Sequence, residues 1–299
     1  DDWKITRNLT LNLGVRDTVF KGAPNGYDKY NRISDFVPSL YSAANAPTVT
    51  STGTLVTGTG DPLNGIITPA NLKGLDLPRS LTGARNNIGP RIGFAWSPFG
   101  SSTTSIRGGY GIFYHWDNDN HENLSGNPPY SQSATIYNTT FTGFASGAQT
   151  LFPPTLAAFD TRKLYPTVTQ YSLTAEKQLP GATVLSVSYV GNSARHLDQA
   201  PNINQAQPNA AVAAGTVNVN TVRPYKGYAA INYDVRSASA GYNSVQVDAR
   251  RRFKNGFLFE AAYTYSRSLG AQVGQNQFVN EKGPTAYDRP QSFTINYVY

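Results

Sequence analysis

Apolar residues recur at every second position in eight stretches of the chain. In Leu9–Arg16, Leu9, Leu11, Leu13 and Val15 share one face, and Thr10, Asn12, Gly14 and Arg16 share the other. In Pro90–Trp96, Ile92, Phe94 and Trp96 oppose Arg91, Gly93 and Ala95. In Ser105–Tyr114, Ile106, Tyr110, Ile112 and Tyr114 oppose Ser105, Arg107, Gly109 and Gly111. Gln170–Leu179, Thr183–Val190, Ser244–Phe253, Phe257–Leu269 and Ser292–Tyr299 follow the same rule. Alternation with period two predicts β-strands, and no helical periodicity of comparable length accompanies it.

The connections predict how these strands are arranged. "SPFGSS", "LPGA" and "KNG" are tight turns. Between them run long segments rich in Asn, Ser, Thr, Gly and Pro: 21–87, 115–166, 191–241 and 269–290. Short and long alternate strictly, so all tight turns fall at one end of an antiparallel sheet and all long loops at the other. A three-residue turn at Lys254-Asn255-Gly256, with Gly256 left-handed, predicts the register of the last hairpin. Phe253 then faces Phe257, Val247 faces Tyr263 and Val245 faces Tyr265, while Arg250 opposes Glu260 on the other face. A two-residue Asn-Gly loop would instead set Asp248 beside Tyr263 and mix the faces.

Composition decides which face meets water. The chain is 14% charged and 39% hydrophobic, with 19 Tyr, 27 Gly and no Cys or Met. The polar face carries Gly, Ser, Thr and Gln with isolated charges, unlike the Lys/Glu-rich face of a soluble sheet. Aromatics gather near strand ends, as interfacial girdles do. Strands of about nine to eleven residues suit a tilted membrane crossing. The expectation is all-β: an antiparallel transmembrane β-barrel segment of about eight strands, with short periplasmic turns and long extracellular loops. Phe94, Tyr110, Leu185, Val187, Phe259 and Tyr263 should face lipid; Arg107, Ser186 and Glu260 should face the lumen. No apolar run of about 18 residues predicts a spanning helix. The net charge of +7 is scattered apart from Arg250-Arg251-Arg252, so no nucleic-acid footprint is predicted.

The ordered set of strand motifs resembles the barrel of Oar-like TonB-dependent outer-membrane transporters of the acidobacterial type. The matching pieces are "DDWKITRNLTLNLGVR", "NNIGPRIGFAWSPFG", "IRGGYGIFY", "NPPYS", "QYSLTAEKQLPGATVLSVSYVGNSARHL", "YNSVQVDARRRFKNGFLFEAAYTYSRSL" and "DRPQSFTINYVY". The resemblance implies a barrel of about 22 strands holding an N-terminal plug and driven by an inner-membrane energising complex. No plug, TonB-contacting box or N-terminal carboxypeptidase-regulatory-like domain is visible, and position 1 is not Met. Residues 1–299 therefore read as a single partial-barrel segment, a fragment with unpaired edges near Leu9–Arg16 and Phe293–Tyr299 that would aggregate in isolation.

No catalytic, cofactor or metal site is predicted, and the chain does not read as an enzyme. "HWDNDNHEN" gathers His115, Asp117, Asp119, His121 and Glu122, but lacks the Gly and terminal Glu of a calcium loop. "RGGYG" lies within a strand and has no following helix to bind phosphate; Gly109 and Gly111 are expected to leave room for a plug or to bend the strand. Arg16, Arg91, Arg107, Glu176, Asp248, Arg250 and Glu260 line the predicted lumen. They would guide a solute or grip a plug, or neutralise one another across strands, as Arg250 with Glu260. Three functions follow: an outer-membrane uptake barrel for an unidentified solute, working with a lipid bilayer, a plug and the TonB complex; a passive barrel or surface-adhesion protein binding through its loops; or a soluble β-sandwich module. No substrate-binding residue is predicted.

Overall fold

The computed structural model describes residues 2–20, 34–68, 85–98, 103–115, 124–136, 140, 149–160, 164–215, 218–254, 256–273 and 280–299. Ten strands build one wall: β1 (Asp2–Thr6) and β2 (Leu9–Phe20), then, after the short loop pair β3 (Asp35–Phe36) and β4 (Ile66–Ile67), β5 (Arg85–Trp96) and β6 (Thr104–Tyr114). The second long connection holds β7 (Ala134–Ile136), β8 (Gln149–Leu151) and β9 (Leu156–Phe159). The wall resumes with β10 (Thr167–Leu179), β11 (Thr183–Gln199), β12 (Ile231–Lys254), β13 (Phe257–Val273), β14 (Asn280–Pro284) and β15 (Gln291–Val298). Each wall strand pairs antiparallel with the next in the order β1-β2-β5-β6-β10-β11-β12-β13, and β14 and β15 share the far side of β13. The wall is thus nine strands wide and open. The pattern of eight stretches missed β1, whose five residues "DWKIT" alternate but form a short run, and β14, whose "NEKGP" does not alternate.

The pairing carries the two faces unbroken across the wall. Leu13 lies opposite Ile92, Ile92 opposite Tyr110, and Tyr110 opposite Tyr171. One step nearer the turns, Leu173 meets Tyr189, Tyr189 meets Val245 and Val245 meets Tyr265. The opposite face runs from Gly93 through Gly109 and Ser172 to Val190, Ser244 and Ser266. All six residues expected to face lipid fall on the aromatic face, and Arg107, Ser186 and Glu260 on the other.

No second layer covers the aromatic face among the described residues: Val15 is 75% exposed, Ile92 52% and Phe293 64%. A soluble sandwich would bury these side chains, because apolar area left in water costs roughly 25 cal/mol per Å². Two aromatic rings on this face lie over glycines of the adjoining strand. A Cβ on Gly108 would stand 2.4 Å from the Phe94 ring, and one on Gly191 2.4 Å from the Tyr171 ring. On the inner face Gly109 is open, but Phe113 occupies the space expected to be free at Gly111, 2.9 Å from a would-be Cβ.

The apolar band climbs across the strands. Its loop-side limit is Val19 on β2, three alternate positions beyond Leu13, but Val245 on β12, one position short of the row that contains Leu13. A flat membrane band can follow this stagger only if the strands are tilted, as closure of a barrel demands.

Two expectations need correction. Strand lengths reach 17 residues in β11, 24 in β12 and 17 in β13. At about 3.3 Å per residue β12 extends about 80 Å, far more than a bilayer requires, and its loop-side half stands outside. The last hairpin also departs from the three-residue turn. Lys254 pairs with Phe257, so the loop is Asn255-Gly256, with Gly256 at φ +77°; Asn255 lies outside the described residues. Phe253 does not pair with Phe257. Instead, a bulge between Arg251 and Lys254 absorbs one residue and restores Ala249 opposite Ala261, Val247 opposite Tyr263 and Arg250 opposite Glu260. The faces stay matched by a bulge rather than by the loop.

Candidate functional site

Two parts of the molecule can meet a solute: the inner face of the wall and the loops above it. The inner face is paved with short side chains. The seven charged residues expected there lie on six strands, β2, β5, β6, β10, β12 and β13, so they do not form one constellation. Arg107 Nη2 reaches Glu176 Oε2 at 2.9 Å across the β6–β10 pair. Both side chains are substantially exposed, so this pair contributes little to stability. Arg91 lies over the Phe113 ring at 4.7 Å, a cation–π contact. Arg250 sits opposite Glu260 in register, yet its guanidinium ion-pairs with Asp248 on its own strand at 3.7 Å. Residues two apart on a strand share a face, and the carboxylate already beside it captures the charge. Arg16 stands exposed on the same face, level with Gly89.

The long loops are not featureless. They fold into a cap holding the buried apolar cluster Phe36, Ile66, Leu156, Ala158, Tyr228 and Ile231. Phe36 meets Tyr225 and Tyr228 edge-on, at 5.1 and 5.5 Å between ring centroids. β9 adds to the loop-side end of β12 as a parallel strand, from Leu156 opposite Ile231 to Phe159 opposite Asp234. Three connections of very different sequence position thus share one core.

Polar brackets fix the cap. Asn204, fully buried, donates from Nδ2 to the carbonyls of Tyr225, Tyr228 and Ala229, and its Oδ1 accepts from the Tyr225 amide. Asn127 donates to the carbonyls of Ser34 and Ala157 and accepts from the Ala157 amide. At the cap's base Arg236 pairs with Asp198 at 2.8 Å and donates to the Leu164 carbonyl at 2.7 Å. Sequence reasoning missed all of these. The available signals were the short apolar doublets Phe36-Val37 and Ile66-Ile67 inside polar loops.

The acidic stretch fares otherwise. His115 donates its backbone N–H to the Pro166 carbonyl at 2.9 Å; Asp117, Asp119, His121 and Glu122 lie outside the described residues. Among the described residues no three His, Cys, Asp or Glu side chains are grouped to hold a metal ion.

A tilted, open antiparallel wall with an uncovered aromatic face and all tight turns at one end is a membrane wall. A family profile described as outer membrane beta barrel domain matches residues 1–299. The chain belongs to this outer membrane beta barrel family. It is an outer-membrane barrel wall, with its tight turns at one end and its capped loops at the other. No curated protein matches it.

Solved structures similar to it include the outer membrane transporter YddB from Escherichia coli, at 12% identity and TM-score 0.43 over 72% of this chain and 26% of that one. The ferric-catecholate import receptor Fiu from E. coli matches at 10% and 0.44, over 99% and 30%. The siderophore receptor PirA from Pseudomonas aeruginosa matches at 12% and 0.37, over 64% and 31%. The chain spans about a third or less of each of these structures.

Proposed function

We propose that this chain forms part of the barrel wall of a TonB-dependent outer-membrane transporter of the Oar-like type, which takes up a solute still to be identified. The observation that carries the reading is the size of the inward side chains. A closed barrel of eight or nine strands is filled by its own inward residues. Here the central inward row runs through Asn12, Gly93, Gly109, Ser172, Val190, Ser244 and Ser266, which are too small to fill it. Such a face suits a wide barrel completed by further strands and occupied by a separate plug. Residues 1–299 are then one barrel segment. The plug, the TonB complex and the solute are partners of the whole protein, and the folded cap is the surface a solute meets first.

Planar-bilayer conductance of the full-length protein tests this reading. A plugged transporter is electrically quiet when intact and conducts strongly once the plug is deleted. Steady conductance by the intact protein would favour the passive barrel. Silence in both forms would contradict a wide barrel altogether.

A further inference from the structure

The aromatic face changes character just beyond the apolar band on β10 to β13. Tyr171, Tyr189, Val245 and Tyr265 mark the limit. The Tyr171 and Tyr189 hydroxyls both donate to Asn243 Oδ1 at 2.8 Å, one position further out. Above them a groove of about 340 Å³ is lined by Ser193, Arg195, Ser239, Asn243, Arg267 and Lys282. The register places all six on the outer face: Ser193 opposite Gly241, Ser239 opposite Ala271, Ala271 opposite Lys282, and Asn243 opposite Arg267. Arg195 lies opposite Thr167 on β10.

Three exposed cations therefore share this groove. Arg267 is held by Asp288 at 3.2 Å. Arg195 and Lys282 make no ion pair among the described residues. Hydroxyls and an amide lie between them, and the apolar band with its tyrosines lies directly beneath. Cations at this height meet lipid headgroups, and those on a hydrocarbon-facing surface are attracted to anionic ones.

We propose that this groove binds the phosphate of an outer-leaflet lipid. Arg195 and Lys282 neutralise the phosphate, Ser193 and Ser239 donate to its oxygens, and the acyl chains run down over Tyr189 and Val245. The site rests on the membrane orientation of the wall and does not depend on transport.

The test uses the full-length protein in detergent. It is exchanged with a diphosphorylated glucosamine glycolipid, or with the same glycolipid stripped of its phosphates, and retained lipid is counted by native mass spectrometry. The phosphorylated form should be retained and the stripped form lost, and inorganic phosphate alone should not displace it. Each charge removed should weaken retention about five-fold. Arg195→Gln with Lys282→Gln should therefore lower it about 25-fold, whereas Arg195→Lys should hold it near the parent. Arg251→Gln, at the turn end, should leave it unchanged. A heat-resistant folded band on gels confirms that each variant has assembled. Equal retention of both lipids, or undiminished retention by the double variant, overturns the site. An equal loss in Arg251→Gln would replace it with diffuse charge attraction, and displacement by inorganic phosphate would replace the lipid with a free anion.

Discussion

Tyr228 is 1% exposed, and its hydroxyl donates to the carbonyls of Asn64 and Pro62 at 2.9 and 3.2 Å. Burial first, and the nearby Asp61 carboxylate and Tyr41 second, push its pKa well above the ordinary phenol value. Tyr41, in the same cluster, is raised by burial too. The folded cap thus holds these protons more tightly than the unfolded chain does. Their contribution is complete below the unfolded phenol pKa of about 10 and is lost as pH rises above it. The cap should therefore open in alkali while the wall persists. Subtilisin, which works in alkali, should begin to cut between residues 36 and 67 and near 225–231 above about pH 10. Tyr228→Phe should flatten this dependence, leaving the smaller share that belongs to Tyr41. A cap equally resistant on both sides of that pH would refute the assignment.

At the scale of elements, the β12–β13 hairpin shows how much depends on one residue. The Asn255-Gly256 loop alone would pair Asp248 with Tyr263; the bulge between Arg251 and Lys254 prevents it. Deleting Arg252 removes the extra residue and the bulge together, so the two-residue loop pairs Arg251 with Phe259 directly and both faces stay matched. Deleting Val247 has no such remedy. If the bulge stays, Gln246 and Ser244 slide onto the lipid face; if it is lost, Asp248 and Arg250 point at lipid, where a charge near the midplane costs roughly 2–4 kcal/mol for Arg and less for Asp. Deletion of Arg252 should therefore keep the heat-resistant folded band of the full-length protein, and deletion of Val247 should abolish it. Normal assembly after deletion of Val247 would show that the faces are not what holds the register.

The same contrast explains what was legible. Where a strand lies between lipid and lumen, both faces are chemically constrained, and Val245, Val247, Tyr263 and Tyr265 spell out the pairing. The loop-side half of β12, "INYDVRSASA", alternates over Ile231–Arg236 but loses the pattern at Ser237–Ala240, so the sequence did not join it to the rest of the strand. The cap core was illegible for another reason. Phe36, Leu156 and Tyr228 come together from 192 residues of chain (228 − 36), each in a short apolar run inside a polar loop. Asn204 looks in sequence like any loop asparagine, and only the three carbonyls around it reveal its role.

Across the whole molecule, one wall divides three environments. Its aromatic face, staggered from Val19 to Val245, follows the membrane; its inner face is small and polar; its loops form a cap with a core of their own. Both edges, β1 on one side and β14 with β15 on the other, pair with a single neighbour among the described residues, and a wall in lipid requires such edges to be closed. The basic groove above Tyr189 and the transport reading both presuppose that the aromatic face is the lipid face. A spin-label scan from Thr183 to Gly191 of β11, in the full-length protein in outer-membrane vesicles, measures this directly. Labels at Leu185, Val187 and Tyr189 should be relaxed by oxygen and shielded from a water-soluble nickel chelate. Labels at Val184, Ser186, Ser188 and Val190 should show the alternate phase, shielded from the lipid-dissolved oxygen pool. Nickel contact at 185, 187 and 189 would contradict the account.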